Sequence, residues 1–161
     1  MVRPHGAALN TPLAIRFVTE QDFSAWRPLW DGYNAFYGRS GDTALPEAVT
    51  CTTWLRFLDP GEAMHALVAE RDGQLLGLAH YLFHRSTTNP ADSCYLQDLF
   101  TVPEARGLGV GRALIEAVYA RARESGASRV YWQTHETNAT AMQLYDKVAQ
   151  KSGFIVYRQP L

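Results

Sequence analysis

The residues best suited to chemistry in this chain form one run, Asp98-Leu99-Phe100-Thr101-Val102-Pro103-Glu104-Ala105-Arg106-Gly107-Leu108-Gly109-Val110-Gly111-Arg112-Ala113. In it an apolar strand breaks into alternate glycines and then opens a helix. Glycine lacks a Cβ, so the backbone turns tightly and its N–H groups can approach an anion. The new helix aims unpaired donors and its positive dipole end at the same spot. This is a cradle for phosphate, and it implies a ligand carrying a pyrophosphate. A Walker A loop needs Lys and then Ser or Thr after its last glycine, whereas Gly111 is followed by Arg112 and Ala113. A dinucleotide fingerprint needs glycine where this chain has Arg112. Glu136 stands near where the ribose-binding acid of that fingerprint would fall, which leaves the dinucleotide reading open.

The spacing Arg106-x-x-Gly109-x-Gly111 resembles the Q/R-x-x-G-x-G/A signature of the GNAT superfamily of acetyl-CoA-dependent N-acetyltransferases. Downstream, Thr137-Asn138-Ala139-Thr140-Ala141-Met142-Gln143-Leu144-Tyr145-Asp146-Lys147 is similar to the family's second cofactor-binding segment, and Gly153-Phe154-Ile155-Val156-Tyr157 to its final strand. Leu75-Leu76-Gly77-Leu78-Ala79 resembles the strand that precedes the cofactor strand. The wording of Tyr95-Leu96-Gln97-Asp98-Leu99-Phe100 is closest to the polyamine and small-amine branch, which acts on spermidine, spermine or thialysine. The resemblance implies acetyl-CoA as co-substrate, with no metal. It also implies cofactor contacts from the strand backbone at Leu99, Phe100 and Thr101, from Arg106, Gly107, Leu108, Gly109, Val110, Gly111 and Arg112, and from Asn138 and Tyr145. Relatives are often dimers, so a homodimer is expected.

Moving an acetyl group from a thioester to an amine needs a neutral amine, a held carbonyl, a stabilised oxyanion and a proton for the leaving thiolate. Tyr145 is the best acid here, because a phenol with a pKa of about 10 stays protonated at neutral pH and faces a thiolate whose acid has a pKa of about 8.5. The resemblance puts a tyrosine in this role at this position. An alkylamine is only about one part in a thousand neutral at pH 7, so a base or a path to water matters. Here the chain departs from its look-alikes: Gln97 stands where the polyamine branch has a Glu, the proposed base, and an amide accepts no proton at neutral pH. The remaining candidates are Asp98, as catalytic acid-base group, and His84 or His80. Strand parity places His80, Leu82 and His84 on one face, which otherwise reads as solvent-facing strand surface. The expected acceptor is a small-molecule primary amine, polyamine, lysine-like or amino-acid-like. Two other readings stay open: an acetyl-CoA-binding sensor or subunit without turnover, and an N-terminal acetyltransferase of peptides or proteins.

These residues need a scaffold. At 161 residues the chain matches one ordinary domain, and its formal net charge of −1, with no basic block, points away from nucleic-acid and membrane partners. Cys51 and Cys94 lie far apart and read as reduced thiols of a cytoplasmic protein. Residues 1–12 are expected to fray, and residues 13–161 to form a single domain. The fold class expected is α/β (α+β): a mixed, mostly antiparallel sheet splayed at the cofactor strand, with helices on both faces. Ala14 to Val18 reads as a first strand, followed by a helix capped by Thr19 and Asp22. That helix carries Trp26, Trp30, Tyr33 and Tyr37 on one face. The stripe reads as core, with its outer end, Tyr33 and Tyr37, lining an acceptor pocket. A helix from Pro46 to Leu58, a hairpin turning at Asp72-Gly73, the strand Cys94 to Val102, the cofactor helix Gly109 to Glu124, the strand Arg129 to Thr134, a helix Thr140 to Gln150 and a last strand complete the order.

Overall fold

The computed structural model describes residues 11–161, so most of the expected N-terminal tail lies outside the described residues. A five-stranded sheet in the order β1-β2-β3-β4-β5 is built from β1 (Ala14–Phe17), β2 (Met64–Arg71), β3 (Gln74–His84), β4 (Ser93–Thr101) and β5 (Arg129–Tyr131). The first four strands run antiparallel and β5 runs parallel to β4. The Asp72-Gly73 turn between β2 and β3 has positive φ at both residues, 53° and 75°, as the sequence demands of a tight hairpin.

Alternation along the strands sends neighbouring residues to opposite faces, and each face has its own helices. Leu67, Ala69, Ala79 and Tyr81 pack with Val110, Leu114, Ile115 and Val118 of α3 (Val110–Glu124), with Leu144, Tyr145 and Val148 of α4 (Ala139–Val148) at the margin. On the other face Val68 and Leu78 pack beneath Trp26, Leu29 and Trp30 of α1 (Phe23–Phe36) and Trp54 of α2 (Glu47–Leu58). The Trp30 indole N–H donates to Thr50 Oγ1 at 3.1 Å and ties α1 to α2. A 3-10 turn over Glu20–Asp22 leads into α1, and there the Thr19 N–H donates to Asp22 Oδ2 at 2.7 Å. Arg16 clamps the same carboxylate through both terminal nitrogens, at 2.7 and 2.9 Å.

One irregularity decides what the sheet can do. His80 pairs with Asp98 but Tyr81 pairs with Leu96, so Gln97 is an extra residue in β4. A bulge of one residue flips the side chains beyond it to the other face. Asp98 is thereby delivered to the tryptophan side of the sheet, where unbroken alternation would have put it against α3.

The expected last strand, Gly153 to Tyr157, does not form. The chain leaves α4 extended at Ala149 (φ −151°, ψ −177°), and residues 150–161 are exposed throughout. The additional residues before Gly153-Phe154 carry the segment away from β5, so within its own chain it pairs with no strand edge. β5 is also shorter than expected, ending at Tyr131 instead of Thr134.

Candidate active site

The sheet opens at the point the glycine run requires. β5 pairs with β4 only at Ser93, Cys94 and Tyr95, so from Leu96 onward that edge of β4 is free. Val102 N–H is spent on Leu76 O across the β3 side. Since successive residues direct their amides to opposite edges, Phe100 also faces β3, while Leu99 and Thr101 present N–H and C=O to the open edge. This corrects the expectation for Phe100, whose backbone is committed to the sheet and whose ring presses on α1 at Gly32.

Beyond Thr101 the chain turns through Pro103–Ala105 and enters α3 at Gly109, a left-handed N-cap with φ 82°. Arg106 N–H donates to Pro103 O and Ala113 N–H to Gly109 O; between them the amides of Gly107 to Arg112 meet no backbone carbonyl in hydrogen-bonding geometry. A row of bare donors at the positive end of a 15-residue helix is an anion site. Arg106 is exposed beside it, and Arg112 lies exposed in the first turn with its Nε donating to Glu116 at 2.9 Å. At Gly111 three elements meet, since a Cβ there would stand 3.4 Å from Leu144 Cδ2 and 3.8 Å from Thr101 Oγ1. The turn, the open edge of β4 and α4 therefore border one wedge.

At the head of the wedge is a pocket lined by Tyr33, Tyr37, Leu96, Gln97, Leu99, Trp132, Gln133 and Tyr145. Of the candidate residues for the acceptor side, Tyr33, Tyr37 and Gln97 come together here with Tyr145. His84 does not: it sits at the far end of β3 opposite Ser93, with Nε2 2.7 Å from the Tyr131 hydroxyl. The edge of α1 falls short of that end of the strand, so the parity argument put His84 on the right face but too far along it. Asn138 begins α4, and its Nδ2 donates to Thr134 Oγ1 at 3.3 Å. Tyr145 follows two turns later on the same helix face. Its ring lies edge-on to Trp132 with centroids 5.4 Å apart, and burial pushes its hydroxyl up to about 12.

Behind Tyr33 lies a network that corrects the sequence reading of His80. His80 is 2% exposed, among the rings of Trp26, Trp30 and Phe57, and is not surface. The Trp26 indole N–H donates to His80 Nε2 at 3.0 Å, and an indole can only donate. That makes Nε2 the acceptor and Nδ1 the protonated nitrogen, which donates to Asp98 Oδ2 at 2.9 Å. His80 therefore has no free lone pair with which to act as a base. Asp98, 7% exposed, is held by this bond beneath the pocket floor. Burial first, and then the Asp98 carboxylate, hold the Tyr33 hydroxyl protonated well above the usual phenol range.

The structure also shows a residue that the sequence reading missed. Arg39 lies 5.8 Å and 5.4 Å from the ring centroids of Tyr33 and Tyr37, with its Nε donating to Asn34 Oδ1 at 2.7 Å. Among the described residues it pairs with no carboxylate; it lines a neighbouring cavity with Asp31, Asn34 and Ser40, on the outer side of the two tyrosine rings. Trp132 and Gln133 were missed as well, because the sequence reads them as part of a strand to Thr134, whereas β5 ends at Tyr131 and leaves them at the pocket. Among the described residues no three His, Cys, Asp or Glu side chains cluster as a metal site, and no helix is long and apolar enough to cross a membrane.

A splayed central sheet, a bare-amide turn at a helix N-terminus and a tyrosine facing the wedge define an acyl-CoA-dependent transferase fold. Residues 26–149 match the family model for the acetyltransferase (GNAT) family, and the chain belongs to that family. It is 37% identical over 153 residues to the D-amino-acid N-acetyltransferase HPA3 of Saccharomyces cerevisiae, covering 94% of this chain and 92% of the relative. It is 30% identical to the uncharacterized N-acetyltransferase YhfO of Bacillus subtilis over 145 residues, 89% of this chain and 94% of that one. Among solved structures, AAC(6')-Iy in complex with the bisubstrate analog CoA-S-monomethyl-acetylneamine superimposes with a TM-score of 0.80 at 16% identity, over 94% of this chain and 99% of that one, a likeness of fold. The chain is thus a GNAT N-acetyltransferase domain, of a family that uses acetyl-CoA.

Proposed function

We propose that this protein acetylates the primary amine of a small acceptor that also carries a carboxylate, an amino acid or close analogue. The observation that carries this reading is the pocket in which Tyr33, Tyr37, Gln97 and Tyr145 converge at the open edge of β4, with the guanidinium of Arg39, free of any carboxylate among the described residues, within 6 Å of the outer pair of its rings. Guanidinium and carboxylate match in a bidentate fork, which a polyamine cannot supply. The relative named for D-amino acids supports the same acceptor class.

Acetyl-CoA supplies an activated thioester carbonyl. Its pyrophosphate fits the bare amides of Gly107 to Arg112, with Arg106 and Arg112 alongside, and its arm fits the free N–H and C=O groups of Leu99 and Thr101. Asn138 and Tyr145 face the same wedge from α4. In the reaction the amine nitrogen bonds to the acetyl carbon, the carbon–sulfur bond breaks, and a proton leaves nitrogen while one arrives at sulfur. Tyr145 is the donor toward sulfur. The pocket lining holds no carboxylate or imidazole, so the acceptor enters as its neutral fraction. The buried charge of Asp98, acting through the Tyr33 hydroxyl, favours the positive charge that develops on the attacking nitrogen. Gln97 holds the acceptor by hydrogen bonding.

The test is thiol release from acetyl-CoA across amino acids, their decarboxylated amines and polyamines. Amino acids are expected to outrun the matched amines. Arg39→Gln should abolish that preference, lowering kcat/KM for amino acids by about 10- to 150-fold if a charged hydrogen-bond pair of about 1.5–3 kcal/mol is lost. Polyamines acetylated best, with Arg39→Gln neutral, would exclude the carboxylate assignment; no thiol release with any amine would exclude catalysis.

A further inference from the structure

A cavity larger than the acceptor pocket lies on the other side of its two tyrosines. α1, α2 and the loop between them enclose about 260 Å³ there, and the two cavities share no lining residue. One water needs only about 10–15 Å³, so this space takes a small organic molecule. Its walls are tied in place. The Thr43 hydroxyl accepts from Ser40 N–H at 3.2 Å and donates to Gly38 O at 2.6 Å, which closes the loop on itself, and Arg27 of α1 grips both carboxylate oxygens of Glu47 on α2 at 2.6 and 2.8 Å. Three polar groups that line the cavity have bonding capacity to spare among the described residues. Thr50, 2% exposed, accepts from the Trp30 indole, but its own hydroxyl hydrogen reaches no acceptor, an arrangement that is costly for a buried donor. Arg39 spends Nε on Asn34 Oδ1 and leaves both terminal nitrogens free. Asp31 gives Oδ1 to Arg27 Nε at 2.9 Å and keeps Oδ2 free. Leu45 and Ala44 supply an apolar wall.

We propose that this cavity is a second site, for a free α-amino acid in its zwitterionic form, and that filling it draws Arg39 away from the acceptor. A zwitterion answers each spare group. Its carboxylate matches the planar fork of Arg39 and has lone pairs left for the Thr50 hydroxyl, its ammonium meets Asp31, and its side chain lies on Leu45 and Ala44. The two sites therefore select opposite protonation states of one molecule. The acceptor pocket has no carboxylate in its lining and takes the neutral amine, a small minority at pH 7, whereas Asp31 holds the ammonium form that makes up the rest. Arg39 stands between them with its guanidinium 5.8 Å and 5.4 Å from the Tyr33 and Tyr37 ring centroids, and one fork engages one carboxylate at a time. This consequence rests on the acceptor reading given above: at high concentration an amino acid inhibits its own acetylation.

Calorimetric titration of the full chain without acetyl-CoA tests the site, with leucine, N-acetylleucine and 3-methylbutylamine as probes. Leucine is expected to bind, and the other two, each lacking one of its charges, about tenfold more weakly or worse. Asp31→Asn keeps the shape of the side chain and should weaken leucine by about tenfold or more, while lifting the inhibition at high leucine and leaving kcat/KM at low leucine within about twofold. Leu45→Trp fills the cavity from its apolar wall and should act in the same direction, which keeps the test independent of the Asp31 to Arg27 contact. Equal binding of the three probes, no binding of leucine, or leucine binding that both variants leave intact overturns the proposal. So does a fall in kcat/KM that matches the fall in binding, because cavity and pocket would then be one site. Leucine held through Asp31 by a protein that acetylates only polyamines would leave this site standing and remove the acceptor reading; amino-acid acetylation with no effect of either variant on binding or inhibition would do the reverse.

Discussion

Replacing Tyr145 by Phe removes one oxygen and leaves the ring against Trp132, so the fold should persist and acetyl-CoA affinity should change little. The size of the kinetic effect follows from the environment of the hydroxyl. Burial puts it at about 12, whereas the thiol that must be regenerated has a pKa of about 8.5. A hydroxyl held this far above the thiol favours sharing its proton with sulfur over giving it up outright. In the proposed reaction Tyr145 is a strong hydrogen-bond donor to sulfur as charge develops, and regains a proton as it gives one. A hydrogen bond to a charged group contributes about 1.5–3 kcal/mol, which predicts a fall in kcat of about 10- to 150-fold, and not complete loss. Stopped-time thiol assays from pH 6 to 10 would measure it, with cofactor affinity followed by calorimetry. Wild-type kcat should show no falling alkaline limb in that range, because the hydroxyl stays protonated. An unchanged kcat in the variant, or a limb near pH 8–9 that vanishes with it, would refute the assignment.

Three further outcomes test the frame around the site. Trp26→Phe deletes the only donor to His80 Nε2 among the described residues and should destabilise the domain by about 1–3 kcal/mol beyond the packing loss, seen in urea unfolding; unchanged stability would mean that His80 holds the other tautomer. Gly77→Ala would set a Cβ 2.7 Å from Phe100 O and 3.0 Å from Val110 Cγ1, forcing β4 and the start of α3 apart. A loss of about 1–3 kcal/mol, or roughly 3–10 °C in Tm, should accompany weaker CoA binding, and a wild-type melting curve would show that the sheet yields there at no cost. The Arg16 guanidinium beside Asp22 holds that carboxyl at about 2 in the folded protein. Because the folded value lies below the ordinary carboxylate value of about 4, the resulting stability, on the order of 2 kcal/mol, is present above pH 4 and lost as pH falls through 2. Asp22→Asn should therefore trail the wild type at pH 7 and converge with it toward pH 2; a constant gap would place its cause elsewhere.

Local chemistry in the sequence was enough for the order of elements as far as α4, the glycine turn, the hairpin at Asp72-Gly73 and the two faces of the aromatic helix, because each depends on backbone preferences and periodicity within a few residues. The pairing of Asn138 with Tyr145 came from the family resemblance, and the structure sets them two helical turns apart on α4. What only the tertiary structure decided depends on register and long-range partners. The extra residue at Gln97 moves Asp98 to the other face of the sheet, a shift that no local pattern announces. Trp26, 54 residues from His80, occupies its Nε2 lone pair and fixes its tautomer. Arg39 gains a role only because α1 lays Tyr33 and Tyr37 against the open edge of β4. The closing strand shows the same division: Phe154 to Tyr157 has strand chemistry in any context, but a strand exists only where an unpaired edge comes within hydrogen-bonding reach, and within one chain none does.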